Sequence, residues 1–149
     1  MDKNIQLRLS EVIDQAIIRE KESRTLYLDL AKDVSFQRVA NLFKKLADEE
    51  LEHVKILDEV KLSPSIMLKL NLPPNFYIEE EQAKPPPIFS QMNPKDVIKF
   101  AISREQAAFN YYRKLNKSMK DDAICNVFEN LANWEYGHIS KLEHILKTI

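Results

Sequence analysis

Glycine occurs once in the 149 residues, as Gly137. A chain so poor in the residue that opens tight turns does not build a strand-and-turn architecture, and helix is the alternative. Proline is missing from residues 1–63 and 95–149, all seven lying between Pro64 and Pro94. Proline interrupts helices, so the chain divides into two helical halves around an irregular middle. Cysteine also occurs once. Cys125 excludes an internal disulfide and any site built of thiolates alone, and it is expected to pack as a small apolar residue. There is no excess of positive charge: the formal net charge is −1, which gives no field for nucleic acid. No apolar run approaches membrane-spanning length, and Met1-Asp2-Lys3-Asn4-Ile5-Gln6 lacks the apolar core of a secretory signal. The expected compartment is therefore the cytoplasm, with no membrane and no nucleic acid as partner.

What is present is 44% apolar and 30% charged residues, a globular composition. The length suits one domain over residues 1–149. Its expected parts are a helical hairpin over 5–62, a crossover over 63–93 and a second hairpin over 94–147. In the first helix, Val12, Ile13, Ala16, Ile17, Tyr27, Leu30 and Ala31 mark the inner face, and Glu20 sits on it. Periodicity fails around Asp33-Val34-Ser35, with Ser35 the expected cap of the second helix. That helix carries Val39, Leu42, Phe43, Leu46, Leu57 and Val60 at the spacing of one buried face. Glu50 and His53 occupy the two places where its next apolar residues should stand. The third helix opens on Asn93-Pro94, cap and first helical position. It shows Val97, Ile98, Ala101, Ile102, Ala108, Phe109, Tyr112 and Leu115 inward, with Glu105 among them. The fourth repeats the interrupted pattern: Ile124, Val127, Phe128, Leu131, then Glu135 and His138, then Leu142 and Ile145.

The halves are copies. Shifting residues 12–57 by 85 positions onto 97–142 gives sixteen identities without a gap. They include Glu20/Glu105, Tyr27/Tyr112, Phe43/Phe128, Glu50/Glu135 and His53/His138, and a repeat of this kind implies two equivalent hairpins. In an antiparallel hairpin two residues lie level when their mean position falls at the turn. Glu20 and the 50/53 pair average to about position 36, and Glu105 with 135/138 to about 121, both at expected turns. Six polar side chains are thus expected at one buried level. The fold expected is all-α, a four-helix bundle of two antiparallel hairpins. Its long crossover between helices 2 and 3 must span about 40 Å. Ile66, Leu68, Leu70, Leu72, Phe76, Tyr77 and Phe89 are expected to anchor that crossover, and Glu79-Glu80-Glu81 to be a solvated patch.

Four carboxylates and two imidazoles cannot remain buried uncompensated, and four negative charges match two divalent cations. Oxygen and imidazole donors without thiolate suit iron or manganese, and zinc or cobalt fits the same set. One Glu from the first helix and a Glu-x-x-His from the second, twice over, is the ligand pattern of dinuclear carboxylate bundles. On these residues the chain resembles the ferritin-like superfamily, in particular its rubrerythrin branch reduced to the four-helix domain. The resemblance covers residues 5–62 and 94–147. It implies that Glu50 and Glu135 bridge two iron ions, that Glu20 and His53 complete one, and that Glu105 and His138 complete the other. It implies for Tyr27 and Tyr112 a hydrogen bond to a ligand carboxylate, against the plainer reading of both as core aromatics.

The activity implied is a diferrous centre that reduces hydrogen peroxide or dioxygen, in defence against oxidative stress. Rubrerythrins commonly add a rubredoxin-like domain with four cysteines. With Cys125 alone here, a separate electron donor such as a rubredoxin-like protein is expected. The family's extra glutamate three residues after the third-helix ligand is Ala108, which sets this chain apart from the usual peroxide reductases. Bacterioferritins place a haem-ligating Met after the second-helix Glu; Leu51 stands there, so no haem is implied. Two other functions fit the same residues: a ferroxidase or iron-handling protein, and a non-catalytic bundle stabilised by metal. A homo-oligomer, such as a dimer, is expected. Trp134 reads as packing, His144 as a residue that favours the helix dipole, and Glu49 and Glu52 as solvated neighbours of the motif.

Overall fold

A computed structural model describes residues 4–33, 36–74, 76 and 93–149. Four α-helices occur among them: α1 (Leu9–Asp33), α2 (Gln37–Val60), α3 (Pro94–Ser118) and α4 (Asp122–Thr148). They form two compact units, one over Leu7–Lys69, the other over Leu70–Ile149 with the N-terminal residues up to Gln6.

In the first unit α1 packs along α2. Val12, Ile13, Ala16, Phe43, Leu46, Ala47 and Leu57 are fully buried, as the helical period of their spacing requires. Tyr27 stacks on Phe43, centroids 5.7 Å apart and planes at 27°. The end of α2 is tied to the start of α1 by Lys61 Nζ and Asp14 Oδ1, 2.7 Å apart. The Asp14 hydrogen bond and charge hold the Lys61 ammonium above its ordinary range. Ser35, the expected cap of α2, lies outside the described residues. The N-cap position belongs to Phe36, extended at φ −85° and ψ 114°, whose side chain makes no capping hydrogen bond.

The second unit repeats the plan. α3 begins as its sequence dictates, with the Asn93 side-chain oxygen accepting from the Asp96 N–H and Pro94 in the first turn. Asp121 caps α4 by accepting from the Ile124 N–H. Tyr112 and Phe128 stack at 6.3 Å and 21°, the same pair as Tyr27 and Phe43 after the 85-residue shift. Of the residues expected inside, Leu42, Ile102, Ala108, Phe109 and Val127 are only partly covered. Leu26, Val54, Tyr111 and Ile139 are buried instead.

Two short strands depart from the all-helical expectation. Ile5–Arg8, expected at the edge of the first helix, is β1, and it pairs with β2 at Lys69–Leu72. Gln6 Nε2 donates to Asn71 Oδ1, and the Leu9 N–H to the Leu68 carbonyl. A 3-10 turn over Pro64–Met67, capped by Ser63, precedes β2. Of the expected crossover anchors Leu70, Leu72 and Phe76 are buried, Ile66 is half-covered and Leu68 is exposed. Tyr77, Phe89 and Glu79-Glu80-Glu81 lie outside the described residues. Among the described residues no helix is long and apolar enough to cross a membrane.

The unequal caps give a stability test. Asn93→Ala should cost about 1 kcal/mol, and Phe36→Asn should add a comparable amount. Denaturant unfolding reads both, and an unchanged midpoint for Asn93→Ala would contradict the cap.

Candidate metal centre

Each hairpin gathers one acid from its first helix and a Glu-x-x-His pair from its second. On α1, Glu20 shares the buried face of Ile13 and Tyr27, each seven residues away, two turns of helix. On α2, Glu50 and His53 stand three residues apart and so project from the same face. Glu20 is 3% exposed, Glu50 2% and His53 1%. His53 Nδ1 lies 3.3 Å from Glu20 Oε2 and 4.0 Å from Glu50 Oε1. One ligand atom from each of the three falls within 4.8 Å of the others.

The second hairpin has the same triad. Glu105, Glu135 and His138 are equally buried. His138 Nδ1 lies 3.3 Å from Glu105 Oε2 and 3.7 Å from Glu135 Oε2, and these three also meet within 4.8 Å. The interhelical spacing thus repeats at 3.3 Å in both hairpins.

Two carboxylates and an imidazole in a dry environment are costly unless a cation or protons compensate them. One divalent cation balances the charge of one triad, with the neutral imidazole as third donor. Oxygen and nitrogen donors without sulfur fit iron, manganese or zinc. Cys125 takes no part in either triad: its sulfur lies 3.0 Å from Asn116 Nδ2, which also donates to the Cys125 carbonyl at 2.9 Å.

The remaining sequence candidates fall as follows. Tyr27 and Tyr112 are both 2% exposed and stack on Phe43 and Phe128. His144 is exposed, and Glu52 pairs with Lys55 at 3.0 Å on the surface. Glu49 is half-buried, whereas Trp134, read as packing, is 47% exposed. Sequence reasoning passed over Tyr111, against which the expected anchor Phe76 packs. Their rings meet at 4.8 Å, and Tyr111 meets Tyr112 edge-on at 5.5 Å. The signal was a second tyrosine beside Tyr112 where the first copy has Leu26.

The rubrerythrin family model matches residues 11–146. No curated protein matches the chain in sequence. Solved structures of the same fold include a candidate ferritin-like diiron-carboxylate protein of Thermotoga maritima. It is 19% identical, with TM-score 0.74, over 95% of this chain and 96% of the other. A hypothetical protein of Pyrococcus furiosus is 23% identical, with TM-score 0.71, over 93% and 88%. A dodecameric thioferritin, the bacterioferritin-related protein of Bacteroides fragilis, is 19% identical, with TM-score 0.74, over 94% and 84%. At such identities the likeness shows the fold, an all-α ferritin-like four-helix bundle.

Glu135→Gln keeps the shape of the side chain and removes one of two like charges in its triad. Without metal the variant should be more stable than the parent by about 1–3 kcal/mol. Fe(II) or Mn(II) should raise the Tm of the parent much more than that of the variant. Equal metal-induced shifts would remove Glu135 from the ligands.

Proposed function

The chain belongs to the rubrerythrin family, and from that premise we propose that it is a dinuclear iron oxidoreductase that reduces hydrogen peroxide or dioxygen. The observation that carries the proposal is the twin triad, Glu20, Glu50 and His53 in one hairpin and Glu105, Glu135 and His138 in the other, each buried and each with its imidazole 3.3 Å from the first-helix carboxylate. Duplication and family membership together support joining the triads into one centre. In it Glu20, Glu50 and His53 would hold one ion and Glu105, Glu135 and His138 the other, with Glu50 and Glu135 serving both.

When bound, two ferrous ions supply the two electrons that, with two protons, turn one peroxide into two waters. The protein's own work is positioning. Each Glu-x-x-His pair rides on a helix anchored by Leu46, Ala47 and Leu57 or by Leu131, Ala132 and Leu142, all buried, so the donors are held on rigid elements. The same apolar residues keep bulk water from the carboxylates, which strengthens their hold on a cation. Tyr27 and Tyr112 are assigned a hydrogen bond that orients a ligand carboxylate. Reducing equivalents come from a separate one-electron carrier, and the chain works as a homo-oligomer. A dodecameric relative with this fold supports the latter.

Anaerobic loading with two equivalents of Fe(II), then rapid mixing with peroxide or dioxygen, tests the reading through the near-ultraviolet absorption of oxidised iron. Faster oxidation by peroxide means a peroxidase, and faster oxidation by dioxygen an oxidase. No change with either oxidant would overturn the redox function. Glu50→Ala should fail to hold both ions, and an unchanged metal stoichiometry in that variant would break the ligand assignment.

A further inference from the structure

The two hairpins are copies inside, and they differ on one outer face. In the first copy, the exposed side of α2 beside the Glu-x-x-His pair carries Asp48, Glu52 and Lys55, an ordinary solvated row. The equivalent positions on α4 are Asn133, Gly137 and Ser140, and Leu51 is replaced by Tyr136. This patch has no charge, and Tyr136 is 60% exposed at its centre. Tyr136 reaches across to α3, where its ring meets Phe109 at 5.9 Å and 51°. Arg113 lies over the Phe109 ring at 6.0 Å. The first copy has Arg24 and Leu28 in place of Phe109 and Arg113.

Packing does not explain the glycine. A glycine inside a helix costs about 1 kcal/mol relative to alanine, yet a Cβ on Gly137 would meet nothing within 4 Å. An uncharged centre with an exposed tyrosine, small neighbours and an arginine at its edge has the composition of a protein-binding surface. The charge of the partner follows from α3. That helix carries Lys95, Lys99, Arg104, Arg113, Lys114 and Lys117 against Asp96 and Glu105; the exposed Glu129 and Glu143 of α4 reduce this excess, which stays positive over the two helices in a chain whose net charge is −1. The position of the patch follows from the chain: Phe109 is one turn beyond Glu105, and Tyr136 directly follows Glu135.

We infer that the Phe109–Arg113–Tyr136 surface is the docking site of an acidic one-electron carrier protein, which delivers electrons beside the second triad. The inference rests on the redox function proposed above. Each encounter passes one electron from reduced carrier to the oxidised protein, so two encounters replace the pair consumed by one peroxide. Opposite charges steer the encounter, and the uncharged aromatic centre provides the dry contact.

The test uses the full chain, loaded with iron and oxidised, and follows its reduction by reduced rubredoxin of net negative charge, with dithionite as the small-molecule comparison. Arg113→Glu and Tyr136→Ser should each slow reduction by rubredoxin about tenfold at low salt, with the Arg113 effect shrinking as salt rises. Dithionite should reduce all variants equally, and Lys55→Glu, on the matching face of the first copy, should behave as the parent. Unchanged rates with rubredoxin, no reduction by it at all, or a change of oligomeric state in place of the rate would each overturn the docking site. Failure of dithionite to reduce the loaded parent would overturn the redox function itself, and the docking site with it.

Discussion

A carboxylate held away from water is the constraint on which the rest of this structure depends. Glu20, Glu50, Glu105 and Glu135 are each at most 3% exposed, and at that burial an ionised acid must be balanced or give up its charge. One imidazole per hairpin does not balance two carboxylates, since a neutral histidine brings no charge and a protonated one brings only half of what is needed. A divalent cation per triad does, and it makes use of the same lone pairs that would otherwise destabilise the fold. A cation held there would couple binding to folding, returning what the apolar helices lose by enclosing acids.

The helices around the triads follow from that constraint. Glu-x-x-His pairs, with side chains three residues apart, stay on one face only while the helix is regular, and α2 and α4 run without a break over 24 and 27 residues. The residues that fix them, Phe43, Leu46, Ala47 and Leu57 in one copy and Phe128, Leu131, Ala132 and Leu142 in the other, are among the positions the copies share. The identities collect where packing density and buried charge leave no freedom. Equal 3.3 Å separations in the two triads are the geometric result.

The triads were legible because a buried polar residue interrupts an apolar period, and because the interruption came twice in one register. A single Glu-x-x-His would have carried little weight. Asn93-Pro94 was legible as a helix start for a local reason, a side-chain oxygen and a fixed φ. What could not be read depends on distant or non-local partners. Ile5-Gln6-Leu7-Arg8 alternates as a strand should, yet its partner strand lies more than sixty residues away at Lys69–Leu72, and four residues cannot announce a strand alone. At the start of α2, Phe36 offers no capping oxygen, so the helix must draw on packing for what a cap would supply. Leu68 read as an anchor from its hydrophobicity, but it closes the 3-10 turn and lies outside β2, in which Leu70 and Leu72 face inward.

A duplicated interior also makes the surface informative. In a single-copy protein an exposed tyrosine needs no explanation, because apolar atoms cover much of any folded surface. Here Leu51, Glu52 and Lys55 occupy the same backbone positions as Tyr136, Gly137 and Ser140, so the first copy shows what the fold alone demands there. It accepts charge at two of the three. The second copy lacks that charge and has the chain's sole glycine in the middle of a helix. The glycine improves no packing, since it faces open space, and Tyr136 meets Phe109 while standing 60% in solvent. When the same scaffold tolerates the cheaper solution in one half and keeps the costlier one in the other, the difference belongs to what that face meets and not to how the chain folds.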